Sequence, residues 1–198
     1  GTANTSLGSE ALYSGTDGGF NTAVGYQSQR NARGSLNSSI GYHSLYSNTN
    51  ARNVAIGLSS MENNVAGSNN VSVGFSSLAN SLGNKNTAIG SEAGSEPSTG
   101  SSNILIGAGI ELPDPAADGQ LSIGNIIFGT GVLGRRFSSF GNIGIGVTNP
   151  ASKLEVAGSV IVRDTTTTSN LTVNGTQTVA SLYPTNIIWP ARSNGIVA

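Results

Sequence analysis

The 198-residue sequence has no cysteine, which excludes disulfides and thiolate metal sites and leaves the redox compartment unreadable. Charge is scarce as well. Charged residues are 10% of the chain and the net charge is −1, against roughly 25% charged in an ordinary globular domain. The nine Lys and Arg are scattered, and their one adjacent pair is Arg135–Arg136, so binding to nucleic acid or an acidic membrane is not expected. No apolar run approaches the roughly 18 residues that span a bilayer, so membrane insertion is not expected either. One His, His43, rules out a catalytic triad and a His-rich metal site, and its plain reading is an exposed side chain. The chain starts at Gly1 without an initiator Met or a signal-like segment and reads as a fragment or a processed piece.

Apolar residues are also few, at 36%. A disordered chain would combine that poverty with high net charge, which is missing here. With 28 Gly in the sequence, an ordered, repetitive, Gly-rich β structure remains.

The repeat is a five-residue motif, Asn-x-small-aliphatic-Gly. It runs NTSLG, NTAVG, NSSIG, NVAIG, NVSVG, NTAIG, NILIG and the variant QLSIG, ending at Gly8, Gly25, Gly41, Gly57, Gly74, Gly90, Gly107 and Gly124. Successive glycines are 16 or 17 residues apart, and a last copy, NIGIG, ends at Gly146 after a gap of 22. That period is too short for helical-pair repeats and suits one coil of a solenoid, with two strands of about five residues and two tight turns. Helix is disfavoured by Gly and Asn in almost every window.

The alignment columns predict side-chain directions. Before each Gly stands an aliphatic residue (Leu7, Val24, Ile40, Ile56, Val73, Ile89, Ile106, Ile123), expected to stack inside the coil as its core. One residue earlier, on the opposite face of the strand, are Ser6, Ala23, Ser39, Ala55, Ser72 and Ala88. Their small size predicts a face packed closely against identical chains, the oligomer interface. Two after Gly is a polar column that includes Glu10, Gln27, His43 and Glu92. Four after Gly come Leu12, Gln29, Leu45, Met61 and Leu78, a second core column. The recurring Asn reads as a turn residue bonding neighbouring backbone in a ladder, with a polar binding stripe as the alternative. One large aliphatic per coil makes a thin core, which argues for a homo-oligomer.

These repeats resemble the head-domain repeats of trimeric autotransporter adhesins, whose signature is close to N-S-V-A-I-G. They look still more like repeats of bacteriophage tail fibres and other trimeric bacterial fibres, as in GSNNVSVG over 67–74. Residues 1–107 carry seven copies, with a period somewhat longer than is usual in adhesin heads. The resemblance implies a left-handed parallel β-roll in each chain, a homotrimer and a role in attachment. ADGQLSIGNIIFGTG (Ala117–Gly131) and GNIGIGVTNPASKLEVAGSV (Gly141–Val160) are similar to segments near the distal end of phage tail fibres, which often precede a self-cleaving trimerisation chaperone.

The expectation is therefore an all-β protein: a trimeric parallel β-roll or β-helix solenoid followed by an intertwined β-prism-like C-terminal region. Residues 1–110 form the roll. Residues 111–150 form a transition or collar, opened by the proline-rich ELPDPAA loop over Glu111–Ala117. Residues 151–180 form the prism-like stalk, where Leu154 with Val156, Val160 with Val162 and Leu171 with Val173 alternate. Asn174–Gly175 could otherwise turn a hairpin there. Residues 181–198 form a hydrophobic cap or a receptor-contacting tip, with Tyr183, Trp189 and Arg192 its candidate residues.

No catalytic, cofactor or metal residue is expected. Gly129-Thr-Gly131-Val-Leu-Gly134 matches G-x-G-x-x-G, but no convincing helix follows. Glycan cleavage needs two carboxylates about 5–9.5 Å apart. Glu10 and Glu92 share a column but lie five coils apart, roughly 24 Å at about 4.8 Å per coil. Glu92 with Glu96 and Asp114 with Asp118 are closer, yet sit in loop-like stretches where solvated charges, or for the aspartates a calcium site, are the readings. The function expected is thus not enzymatic. It is an extracellular fibre segment for surface attachment, on a virion tail or a bacterial surface or secreted fibre, with a surface glycan or protein as receptor. The alternatives are a purely structural spacer and a glycan-depolymerising tailspike.

Overall fold

A computed structural model describes residues 1–14, 17–131 and 141–160. Tyr183, Trp189 and Arg192, the Asn174–Gly175 turn, most of the stalk, Arg135–Arg136 and the end of the G-x-G-x-x-G match lie outside the described residues. Those described build an all-β solenoid, with no helix among them.

Each coil contributes one three-residue strand to a single 11-stranded sheet. The strands are β1 (Thr5–Leu7), β2 (Thr22–Val24), β3 (Ser38–Ile40), β4 (Val54–Ile56), β5 (Val71–Val73), β6 (Thr87–Ile89), β7 (Ile104–Ile106), β8 (Leu121–Ile123), β9 (Ile127–Gly129), β10 (Ile143–Ile145) and β11 (Leu154–Val156). Strands β1 to β8 pair in parallel with each motif in register on the next, giving seven turns of solenoid. Glu111–Ala117 is an excursion inside the coil between β7 and β8, and the parallel stack runs on past it. The chain then reverses. A three-residue turn at Gly124–Ile126 sends β9 back antiparallel to β8. β10 lies antiparallel to β9 and so resumes the solenoid direction, and β11 follows in parallel. The reversed strand β9 falls within the 22-residue gap before Gly146.

The motif's Asn is the staple between coils. In seven successive coils Asn4, Asn21, Asn37, Asn53, Asn70, Asn86 and Asn103 each accept, at Oδ1, the backbone N–H of the residue in the same column one coil on, at 2.7–2.9 Å. Each Nδ2 donates to a backbone carbonyl 13 or 14 residues later, as Asn53 does to Gly67 at 2.9 Å. Buried amides so saturated fix both the stacking distance and the register. The structural reading of this column holds.

The expected second strand is replaced by a turn segment in which ordinary residues take left-handed backbone. Its positions two and four after Gly have φ of 47–57°, as in His43, Leu45, Ser59 and Met61. This costs about 1 kcal/mol or more per residue outside Gly. The geometry has a use, because it turns alternate N–H groups along the solenoid axis. His43 N–H bonds back to Tyr26 O at 3.1 Å, while Leu45 N–H bonds forward to Ser60 O at 3.0 Å. The motif's Gly is required on two counts. Gly57 sits at φ 132°, and a Cβ there would lie 2.4 Å from Gly74 O of the next coil.

The strands face the opposite way from the expectation. Ala23, Ser39, Ala55, Ser72 and Ala88 point into the coil and are wholly buried, so they are not available as an interface between chains. Ser6 points the same way, its hydroxyl donating to Ala11 O. Leu7, Val24, Ile40, Ile56, Val73, Ile89, Ile106 and Ile123 point outward and are partly to largely exposed rather than core. The reason is volume. The turn segment sends Leu45, Met61 and Leu78 into a narrow interior, where they meet Ala55 and Ala88 in one buried cluster. That leaves room on the strand side only for Ala or Ser. The second core column, four after Gly, is inside at Gln29, Leu45, Met61 and Leu78, at 0–2% exposure, while Leu12 in the first coil is only part-buried.

Asn53→Ala removes a buried acceptor and a buried donor at once and should cost about 2 kcal/mol or more by chemical denaturation. Ala55→Trp should abolish the coil's β signal in circular dichroism altogether, because its side chain has no space inside; a β signal that persists would contradict the inward placement.

Candidate functional site

Two surface features are built on this frame. The first is the outward face of the sheet. Its main column pairs rung by rung as Leu7, Val24, Ile40, Ile56, Val73, Ile89, Ile106, Ile123, Ile127, Ile145 and Val156. All eleven are aliphatic, the reversed rung included. Exposure is 67% at Leu7, 50% at Ile40 and 44% at Ile89. The companion column begins Thr5, Thr22, Ser38 and is mostly apolar from Val54 onward, through Val71, Ile104, Leu121, Ile143 and Leu154, with Thr87 and Gly129 between them. Neither column holds a charge. At about 4.8 Å per rung the apolar seam is roughly 48 Å long. Scattered single apolar residues on a surface need no explanation, but a continuous stripe of this length marks a contact surface.

The second feature is a corner of the first four coils where the regular columns carry chemistry. Tyr26 and Tyr42, each just after a motif Gly, stack at 5.4 Å between ring centroids. His43 lies against Tyr42 at 4.0 Å and Tyr46 at 4.7 Å. Its Nε2 is 2.6 Å from Gln27 Oε1 and its Nδ1 is 3.1 Å from Glu62 Oε1. Gln27 Nε2 donates to Glu10 Oε2 at 2.6 Å, and Arg30 Nε donates to the same oxygen at 2.7 Å. The Arg30 guanidinium also sits over the Tyr13 ring, 5.1 Å from its centroid. His43 is therefore half-buried and bridges three coils rather than standing free in a solvated column. The sequence signal for this corner was the repeated Gly-Tyr at Gly25–Tyr26 and Gly41–Tyr42.

Hydrogen bonds from Arg30 and Gln27 hold the Glu10 carboxyl below its ordinary value of 4.5, and the Arg30 charge adds to this. The same bond to Glu10 raises the Arg30 guanidinium further. A depressed folded-state value means that Glu10 adds stability above the unfolded carboxylate range and loses it as pH falls through the folded value.

Glu92 and Glu96 are exposed. Asp118 accepts the Ser101 N–H at 2.6 Å and Asp114 the Ala116 N–H at 2.9 Å, so each carboxylate is tied to loop backbone. Among the described residues no group of three or more His, Asp or Glu is placed to hold a metal, and no helix is long and apolar enough to cross a membrane.

Glu10→Gln should lower the melting temperature slightly at neutral pH, and the gap from the parent should close as pH drops below about 4. His43→Ala, which breaks two coil-to-coil contacts, should cost about 1 kcal/mol in a urea titration, whereas an unchanged midpoint would place His43 outside the network. No protein-family model, no curated protein and no solved structure matches this chain.

Proposed function

We propose that this chain is a segment of an extracellular homotrimeric fibre that serves attachment to a cell surface, with a mechanical and adhesive role rather than a catalytic one. The observation that carries the reading is the uncharged aliphatic seam, continuous over eleven rungs and open to solvent. Water-exposed Ile and Val on one straight face gain about 25 cal/mol per Å² when a like face covers them. Identical chains stacked in the same register present the same column to one another, so the natural partner is another copy. Three copies closing a ring around an axis leaves no open seam, whereas an unclosed arrangement would go on adding chains. The resemblance of the NTAIG-type repeats to trimeric fibres points to the same number. The solenoid supports a fibre on its own terms, being uniform in section and extended by adding coils. Attachment would fall to the non-periodic surface, with a surface glycan or protein as receptor.

Ile56→Asp should convert the assembly to monomers by light scattering while the β signal in circular dichroism persists, since this side chain points away from the coil. A parent protein that runs as a monomer at micromolar concentration would overturn the reading. Binding of the intact fibre to a glycan array or to cells separates an adhesin from a spacer.

A further inference from the structure

The coil interior is filled by a repeating exchange of a large side chain from the turn against a small one from the strand. Between β6 and β8 the exchange inverts. Gly94 occupies the column that holds Leu45, Met61 and Leu78, and Leu105 replaces the small strand residue. The inversion is incomplete in volume. A cavity of about 110 Å³ remains, lined by Leu78, Gly94, Leu105 and Leu112 with Pro97 and Pro115 in its walls. The proline rings have fixed φ and resist collapse into the gap.

The polar groups beside the cavity are already used. Asn86 Nδ2 donates to Gly100 O and its Oδ1 accepts from Asn103 N–H. Ser98 Oγ bonds Ser81 Oγ at 3.2 Å. What enters must therefore be apolar, since a polar group inside would find no partner. The remaining lining residues are Glu96 and Glu111, with no Lys or Arg among them. Glu111 Oε1 receives Ser95 N–H, Ser95 Oγ and Glu96 N–H at 3.0–3.2 Å, which holds its carboxylate in place. Glu96 is exposed.

We propose that this cavity is a binding site for a small cationic amphiphile, a compact branched alkyl group carried on an ammonium head. Leu78 and Leu105 already close over Gly94, where a Cβ would lie 3.0 and 3.4 Å from them, so the alkyl body occupies the cavity beside them and the head meets the two carboxylates. Apolar cavities of about 150 Å³ stay dry and accept small apolar molecules, and this one fits a four-carbon body.

The probes are isobutylammonium, isobutanol and isobutyrate, which share a body and differ in charge. They are titrated into the intact assembly while the methyl resonances of Leu78, Leu105 and Leu112 are followed. Isobutylammonium should give saturable shifts at these methyls, with isobutanol weaker and isobutyrate weaker still by about tenfold or more than the ammonium. Leu112→Phe, which fills the space, should remove the response. If that variant does not fold, exposed Glu96→Gln should narrow the difference between ammonium and alcohol while leaving alcohol binding unchanged. Absence of a saturable shift with isobutylammonium, equal binding of isobutyrate, or an unaltered response in Leu112→Phe would each overturn the proposal.

Discussion

The asparagine ladder is the constraint on which the rest of the structure depends. Each buried carboxamide ties its own coil to the next through one accepted and one donated bond to backbone, and the geometry repeats within 2.7–2.9 Å on the acceptor side through seven coils. Because the partner is always the residue in the same column one coil on, every other column is forced into register as well. The close approach that follows leaves no room for a Cβ at Gly57. It also holds left-handed backbone at residues such as His43 and Leu45, whose N–H groups are captured by the coils on either side. A strained conformation persists when neighbouring bonds determine it from more than one direction.

Much of this was legible in the sequence, and the part that was not has a definite cause. The period, the parallel stack and the role of Asn follow from spacing and from what a carboxamide can bond. Strand alternation also says that Ala55 and Ile56 face opposite sides, but it does not say which side is inside. The usual rule places the larger apolar residue in the core, and it fails here because the interior is filled from the turn. Met61 and Leu78 take the volume, so Ala55 and Ala88 are what fits and Ile56 and Ile89 are left outside. The left-handed turn was hidden for a related reason, since Leu, Met and Gln are not residues from which positive φ is read. The solenoid's continuation past Glu111–Ala117 was masked by prolines that interrupt the pattern without interrupting the ladder, Gln120 standing where an Asn would be.

The aromatic corner shows how a monotonous scaffold acquires local chemistry. Tyr26, Tyr42 and His43 occupy column positions that other coils give to Leu58, Phe75 or Ser59, and stacking places them face to face without any special loop. The network from Arg30 through Glu10 and Gln27 to His43 and Glu62 crosses four coils using only residues near these positions. Sequence columns predicted that the positions were outside, and they are half so. Their mutual contacts depend on side-chain lengths across neighbouring coils, which a column-by-column reading does not compare.

The ladder also governs how such a molecule can vary in length. A coil is joined to its neighbours only through bonds between equivalent positions, so a whole coil can be removed or duplicated and the new neighbours find the same partners. A change of a few residues has no such freedom, since it would carry an Asn out of line with the one before it and unseat every coil beyond. Growth and shortening are therefore quantised, in steps of 16 or 17 residues along the chain and about 4.8 Å along the axis.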